Sequence, residues 1–96
     1  MPPTRTQRAR IFPAEKIESW GVRSRSILRS LGEEIRELRT QKKLSQESLA
    51  GLAGIHTNVV GRLERGSYNP TVLILAALAV KLGVSLEELF RGAEGR

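Results

Sequence analysis

The chain has 96 residues, 40% of them hydrophobic, no cysteine and a formal net charge of +6. That length and apolar content suit one compact core, and the missing cysteine excludes disulfide frameworks and thiolate-ligated metal sites. No apolar run approaches the roughly 18 residues that span a bilayer, and the basic N-terminus lacks the apolar stretch of a secretion signal. A soluble, cytoplasmic protein with no membrane partner is expected.

Residues 1–10 are polar, Pro-bearing and rich in arginine (Arg5, Arg8, Arg10), with too few apolar groups to offset the entropy of ordering them, so they predict a flexible arm. Residues 1–30 hold seven Lys and Arg against two Glu and carry +5 of the charge, which leaves the remainder nearly neutral. Such an arm is either a solvated leader or a contact to a polyanion. Pro13 suits a first helical position, Ile17 and Trp20 share a face, and Gly21 suits a C-terminal stop, which predicts a short helix over Pro13–Trp20. Ile27, Leu31, Ile35 and Leu38 then lie on one helical stripe, the first long helix. Its start is open among Ser24, Ser26 and Ser30, the last forming an S-x-x-E capping pattern with Glu33.

Ser45-Gln46-Glu47 begins the next helix, whose apolar face is Leu49, Ala50 and Ala53 and whose stop is Gly54. A third follows within two residues, with Val59, Val60 and Leu63 apolar and Gly66 placed to close it in the left-handed conformation. Gly61, mid-helix, costs about 1 kcal/mol relative to Ala and hints at close approach of another backbone. Asn69-Pro70 marks a turn. Thr71 caps an apolar helix running to about Leu82, Gly83 stops it, and Ser85 with Glu88 forms a capping box before Leu89 and Phe90. Nothing reads as a strand.

Two short helices joined by a Gly-containing turn, locked by apolar residues, are the ingredients of a helix-turn-helix. The run Leu31-Gly32-Glu33-Glu34-Ile35-Arg36-Glu37-Leu38-Arg39, then Leu44-Ser45-Gln46-Glu47-Ser48-Leu49-Ala50, then Leu63-Glu64-Arg65-Gly66 with Asn69-Pro70, resembles the bacterial Cro/phage-repressor (Xre-like) family over residues 31–90. The resemblance implies an all-α, compact five-helix domain, placed over 31–91 after the basic arm and short extra helix read above (1–30) and before a flexible tail (92–96). It also implies sequence-specific binding of double-stranded DNA in the nucleoid, with the third helix reading bases.

Carried over by position, the resemblance makes His56, Thr57, Asn58 and Arg62 base readers. Helical spacing supports this, because Asn58 and Arg62 lie opposite Val60 and Leu63. Arg forks onto guanine, Asn onto adenine, and a Thr methyl meets the thymine methyl. His56 stands where the family commonly has Ser or Thr, so it either caps poorly or turns its ring to DNA. Gln46 matches a phosphate contact, and Arg65, Ser67 and Asn69 are further phosphate candidates beside ordinary turn roles, as are Arg5, Arg8 and Arg10 of the arm. Arg39 and Glu64 match a buried structural ion pair.

The helix after Thr71 carries an inward stripe of Val72, Leu75, Ala79 and Leu82 with Leu78 beside it, and a second apolar side of Leu73, Ile74, Ala77 and Val80. A second stripe needs a cover, either the segment around Ile17 and Trp20 or a second subunit, and the second subunit is favoured. A homodimeric repressor on a palindromic operator follows, with an antitoxin or a protein-binding adaptor as the alternative. The sequence shows no nucleophile with a base, paired carboxylates, metal cage or cofactor loop, so no catalysis, metal or cofactor is expected.

Overall fold

The computed structural model describes the backbone of residues 14–96 and the side chains of residues 25–96. Five helices make up these residues: α1 (Ala14–Gln41), α2 (Gln46–Ala53), α3 (Thr57–Glu64), α4 (Val72–Leu82) and α5 (Leu86–Glu94). No strand occurs among the described residues, and none of their helices is long and apolar enough to cross a membrane.

Local chemistry sets the starts of α2, α4 and α5 and the ends of α2 and α4. Ser45, Thr71 and Ser85 are N-caps whose hydroxyls accept from the backbone N–H of Ser48, Ile74 and Glu88, and Glu88 returns the bond to the Ser85 N–H. Gly54 and Gly83 close α2 and α4 at φ 71° and 77°. The N-terminal half differs from its sequence reading. Gly21 is interior to α1, so the short helix over 13–20 and the first long helix are one element, and Ser24, Ser26 and Ser30 are helical residues rather than caps. An interior Gly costs about 1 kcal/mol, a penalty that the Glu, Lys, Arg and Leu around it tolerate. The division between residues 30 and 31 therefore falls within a continuous helix, and the basic arm lies outside the described residues.

The core consists of Leu31 and Ile35 of α1, Leu49 and Ala50 of α2, Val60 and Leu63 of α3, Leu75, Leu78, Ala79 and Leu82 of α4, and Leu89 and Ala93 of α5. Each fully buried Leu or Ile here is worth about 1.5–3 kcal/mol. α1 packs on α3 and α5, α2 on α3 and α4, and α4 on α5. Two stripe positions depart from periodicity. Ile27 is 56% exposed, and Val72 is 70% exposed in the first turn of α4. The chain's end is also more involved than a free tail: α5 runs to Glu94, Ala93 is buried, and Arg96 donates to Glu34 at 2.8 Å and pairs with Glu37.

Two glycines set the position of α3 against α1. A Cβ on Gly32 would fall on the Leu63 carbonyl oxygen and lie 3.0 Å from the Glu64 carbonyl carbon, so the two backbones meet there directly. Gly66, at φ 73°, reverses the chain after α3, and a Cβ on it would sit 2.9 Å from the Arg29 Cα. Both the conformation and the space therefore require Gly.

Candidate nucleic-acid interface

The paired helices α2 and α3 are held by one polar cluster at their base. Arg39, in the last turn of α1, donates from Nε to Glu64 Oε2 at 2.6 Å, from Nη2 to Glu64 Oε1 at 3.0 Å, and from Nη1 to the Leu44 carbonyl at 2.8 Å. Gln46 Nε2 donates to the same Glu64 Oε1 at 3.0 Å. The Arg39 and Glu64 side chains are 12% and 3% exposed, so each needs the other to offset lost hydration. The hydrogen bonds that Arg39 donates to Glu64 hold its guanidinium above its ordinary pKa, against the opposing pull of burial. Glu64 and Arg39 together thereby join the end of α1, the turn before α2, the first residue of α2 and the last of α3.

Above this cluster an open groove is lined by Gln46, Thr57, Asn58, Gly61, Arg62 and Arg65. It brings together five of the contact candidates read from the sequence, three for bases and two for phosphates, with Gly61 among them. Val60 and Leu63 are buried and point away from it, while Thr57, Asn58 and Arg62 are exposed. His56 is the N-cap of α3 at φ −73°, ψ 145°, exposed, with no side-chain capping bond. Its ring therefore satisfies no orphan N–H of the helix.

Within this chain, the atoms nearest an added Cβ on Gly61 are Arg65 Nη1 at 3.3 Å and Gln46 Oε1 at 3.5 Å, the ends of two side chains rather than backbone. Gln46 likewise has a structural task, since one amide N–H is directed at Glu64; the second remains for an outside acceptor. Ser67 is tied to α3: its N–H and its hydroxyl donate to the Arg62 carbonyl at 2.9 Å and 3.2 Å. Asn69 is exposed farther along the same loop.

Tyr68 carries no signal in helical spacing, yet it belongs to this surface. Its half-buried ring packs on the core, and the Arg62 guanidinium carbon lies 5.3 Å from the ring centroid. The only cue in the sequence is an aromatic residue two positions beyond the Gly66 reversal. On α4, Leu73 and Val80 are 81% and 70% exposed, Ala77 is half-buried, and Ile74 is half-buried against the core, so Ile74 is not part of a free outer face.

A family model described as Helix-turn-helix matches residues 35–89. The chain is 38% identical over 64 residues to the HTH-type transcriptional regulator DdrOP3 of Deinococcus deserti, covering 67% of this chain and 50% of that one. It is 39% identical over 59 residues to the control protein C.SmaI of Serratia marcescens, covering 62% and 70% respectively. The structure superposes on the restriction-modification controller protein C.AhdI of Aeromonas hydrophila with a TM-score of 0.63 at 44% identity, over 65% of this chain and 94% of that one. It superposes on the clp gene regulator ClgR of Corynebacterium glutamicum with a TM-score of 0.70 at 26% identity, over 72% and 73%. The chain thus spans half the length of the Deinococcus regulator and most of the controller proteins.

Proposed function

This chain belongs to the Cro/phage-repressor-like helix-turn-helix family of DNA-binding transcriptional regulators, and from that premise we propose that it is a repressor acting as a homodimer on a palindromic operator. The observation that carries the reading is the groove over α3. Thr57, Asn58 and Arg62 are exposed there, none is needed to fill the core, and Gln46 and Arg65 flank them.

The division of labour follows from groove chemistry. α3 enters the major groove, where the Arg62 fork matches guanine O6 and N7, the Asn58 amide matches adenine N6 and N7, and the Thr57 methyl meets a thymine methyl, with His56 at the entering end. α2 braces across the backbone. The free amide N–H of Gln46, with Arg65, Ser67 and Asn69, contacts phosphates, which sets register without adding base preference. Arg5, Arg8 and Arg10 neutralise further phosphates from the arm, so deleting residues 1–10 flattens the slope of log affinity against log salt by about 0.9 for each phosphate left unneutralised.

One α3 reads only a few base pairs, and a two-fold dimer supplies a second reading helix on a half-site about 10 base pairs away. Leu73, Ala77 and Val80 on the outer side of α4 form the joint, and the exposure of Leu73 and Val80 supports it. Ile74 packs against the core, so the joint is tested by Leu73→Asp with Val80→Asp, both exposed and outside the core. The variant is expected to sediment as a monomer, to keep its helical circular dichroism, and to lose affinity for a palindrome selected from random DNA. If it has the parent's mass and binds that palindrome equally well, the outer face of α4 is not the joint.

A further inference from the structure

The loop after α3 makes a contact that the reading of α3 as a base-recognition helix leaves unexplained. Gly66 turns the chain back in the left-handed conformation, and the Ser67 N–H and hydroxyl fix the loop to the Arg62 carbonyl. This brings Tyr68 alongside α3, its ring held on one side by the core. The exposed side chain of Arg62 lies over that ring at 5.3 Å, with Nη2 at 3.4 Å from the Ser67 carbonyl. We propose that Tyr68 is a positioning residue for sequence recognition: its ring holds the Arg62 guanidinium in the orientation in which it meets a base.

The geometry of the guanidinium makes the two tasks compatible. Stacking on an aromatic ring uses the flat face of the group, whereas a fork onto guanine uses N–H bonds in its plane. A guanidinium seated on Tyr68 therefore still presents an edge to the groove. An arginine on an open helix surface samples many rotamers and loses that freedom on binding. A seat that restricts it beforehand concentrates its population near the bound geometry, and the benefit appears at the one base pair that Arg62 contacts. Ser67, whose hydroxyl and N–H are committed to α3, keeps the seat at a fixed height.

The inference rests on Arg62 being a base reader, and the experiment separates the two ideas. Base preference is measured by selection from a random pool, and affinity by titration at several salt concentrations, for the parent, Arg62→Ala, Tyr68→Phe, Tyr68→Leu and the Arg62→Ala, Tyr68→Leu double variant. Phe retains a stacking face, whereas Leu fills similar space without one. Tyr68→Leu is expected to reduce discrimination at the Arg62 base pair by roughly two- to five-fold, the range for a cation–π contact at an exposed site. Tyr68→Phe is expected to restore most of it, the salt slope to stay unchanged, and Tyr68→Leu to have no further effect on that preference in the Arg62→Ala background. Equal discrimination by the parent and Tyr68→Leu, with Arg62→Ala impaired, overturns the positioning role alone. An unaltered pattern in Arg62→Ala overturns the assignment of Arg62 itself. A uniform loss over all sequences in both Tyr68 variants identifies the hydroxyl as a phosphate contact and also overturns the positioning role. Ring-current shifts of the Arg62 side-chain protons in the parent read the stack directly, so the proposal remains testable even if Tyr68→Leu fails to fold; their absence overturns it.

Discussion

The two sides of α3 obey different rules. Its inner side is fixed several times over: Val60 and Leu63 are buried, the Leu63 carbonyl meets the Gly32 backbone, and Glu64 accepts from both Arg39 and Gln46. On the outer side Thr57, Asn58 and Arg62 are exposed, and Arg62 alone is seated, on Tyr68. The identity of an inner residue is thus set by the chain itself. The core places no such demand on Thr57, Asn58 and Arg62, so substitutions there leave the packing of the helix intact.

The largest effect is expected where the inner side is cut. Glu64→Ala leaves the Arg39 guanidinium at 12% exposure without its carboxylate and is expected to cost about 3–5 kcal/mol of stability by chemical denaturation. Binding should fall only as far as the folded fraction does. A decrease under about 1 kcal/mol, the level of a solvated pair, would show that the cluster does not hold α3 in place. The opposite signature is expected on the outer side. Arg62→Ala should leave the thermal midpoint near the parent's and weaken binding to the selected site by about 1–3 kcal/mol, relaxing preference at one base pair. An equal weakening on all sequences would move Arg62 from the bases to the backbone.

Gln46 belongs to both sides and should show both signatures at lower amplitude. Its bond to Glu64 is part-buried, so Gln46→Ala is expected to cost about 1 kcal/mol of stability and to lower affinity evenly over all DNA sequences. Comparing denaturation with binding to selected and random duplexes tests this. A stability change without an affinity change would leave Gln46 a purely internal residue.

How far the sequence discloses these features depends on whether a feature is local. Caps and stops need only a residue type at a fixed offset, so Ser45, Thr71, Ser85, Gly54, Gly66 and Gly83 are readable without coordinates. Periodicity gives the side of a helix but not the reach of its neighbours, which is why Ile27 and Val72 share a stripe with core residues and yet remain exposed. Gly21 illustrates the same limit: a stop signal acts only where the chain has reason to turn. The outer residues of α3 are legible by type and spacing, and Arg39 with Glu64 by resemblance. Pairings that depend on three-dimensional proximity, such as Gln46 with Glu64, Gly32 with Leu63 and Tyr68 with Arg62, have no short-range signature.

Lys43 extends the comparison to a turn, and the smallest effect is expected there. The three glycines in left-handed conformations close α2, α3 and α4, but the chain leaves α1 through Lys43 at φ 58°, the one non-glycine residue with positive φ among those described. The turn is well bonded, with the Lys43 N–H donating to the Thr40 carbonyl at 2.9 Å and the Leu44 N–H to the Arg39 carbonyl at 3.1 Å. It also carries the Leu44 carbonyl to Arg39, so the conformation is enforced by the same cluster that holds the inner side of α3. A side chain in the left-handed region costs about 1–2 kcal/mol, partly offset because Gly loses more freedom on folding. Lys43→Gly is therefore expected to raise stability by about 0.5–1 kcal/mol with the fold unchanged, measured by denaturant unfolding with the slope held common. Lys43→Asn, which tolerates the same conformation, should fall between the two. A drop in stability in Lys43→Gly would mean that the lysine stem contributes packing that outweighs its backbone cost, and Lys43 would then join the residues whose identity the fold itself determines.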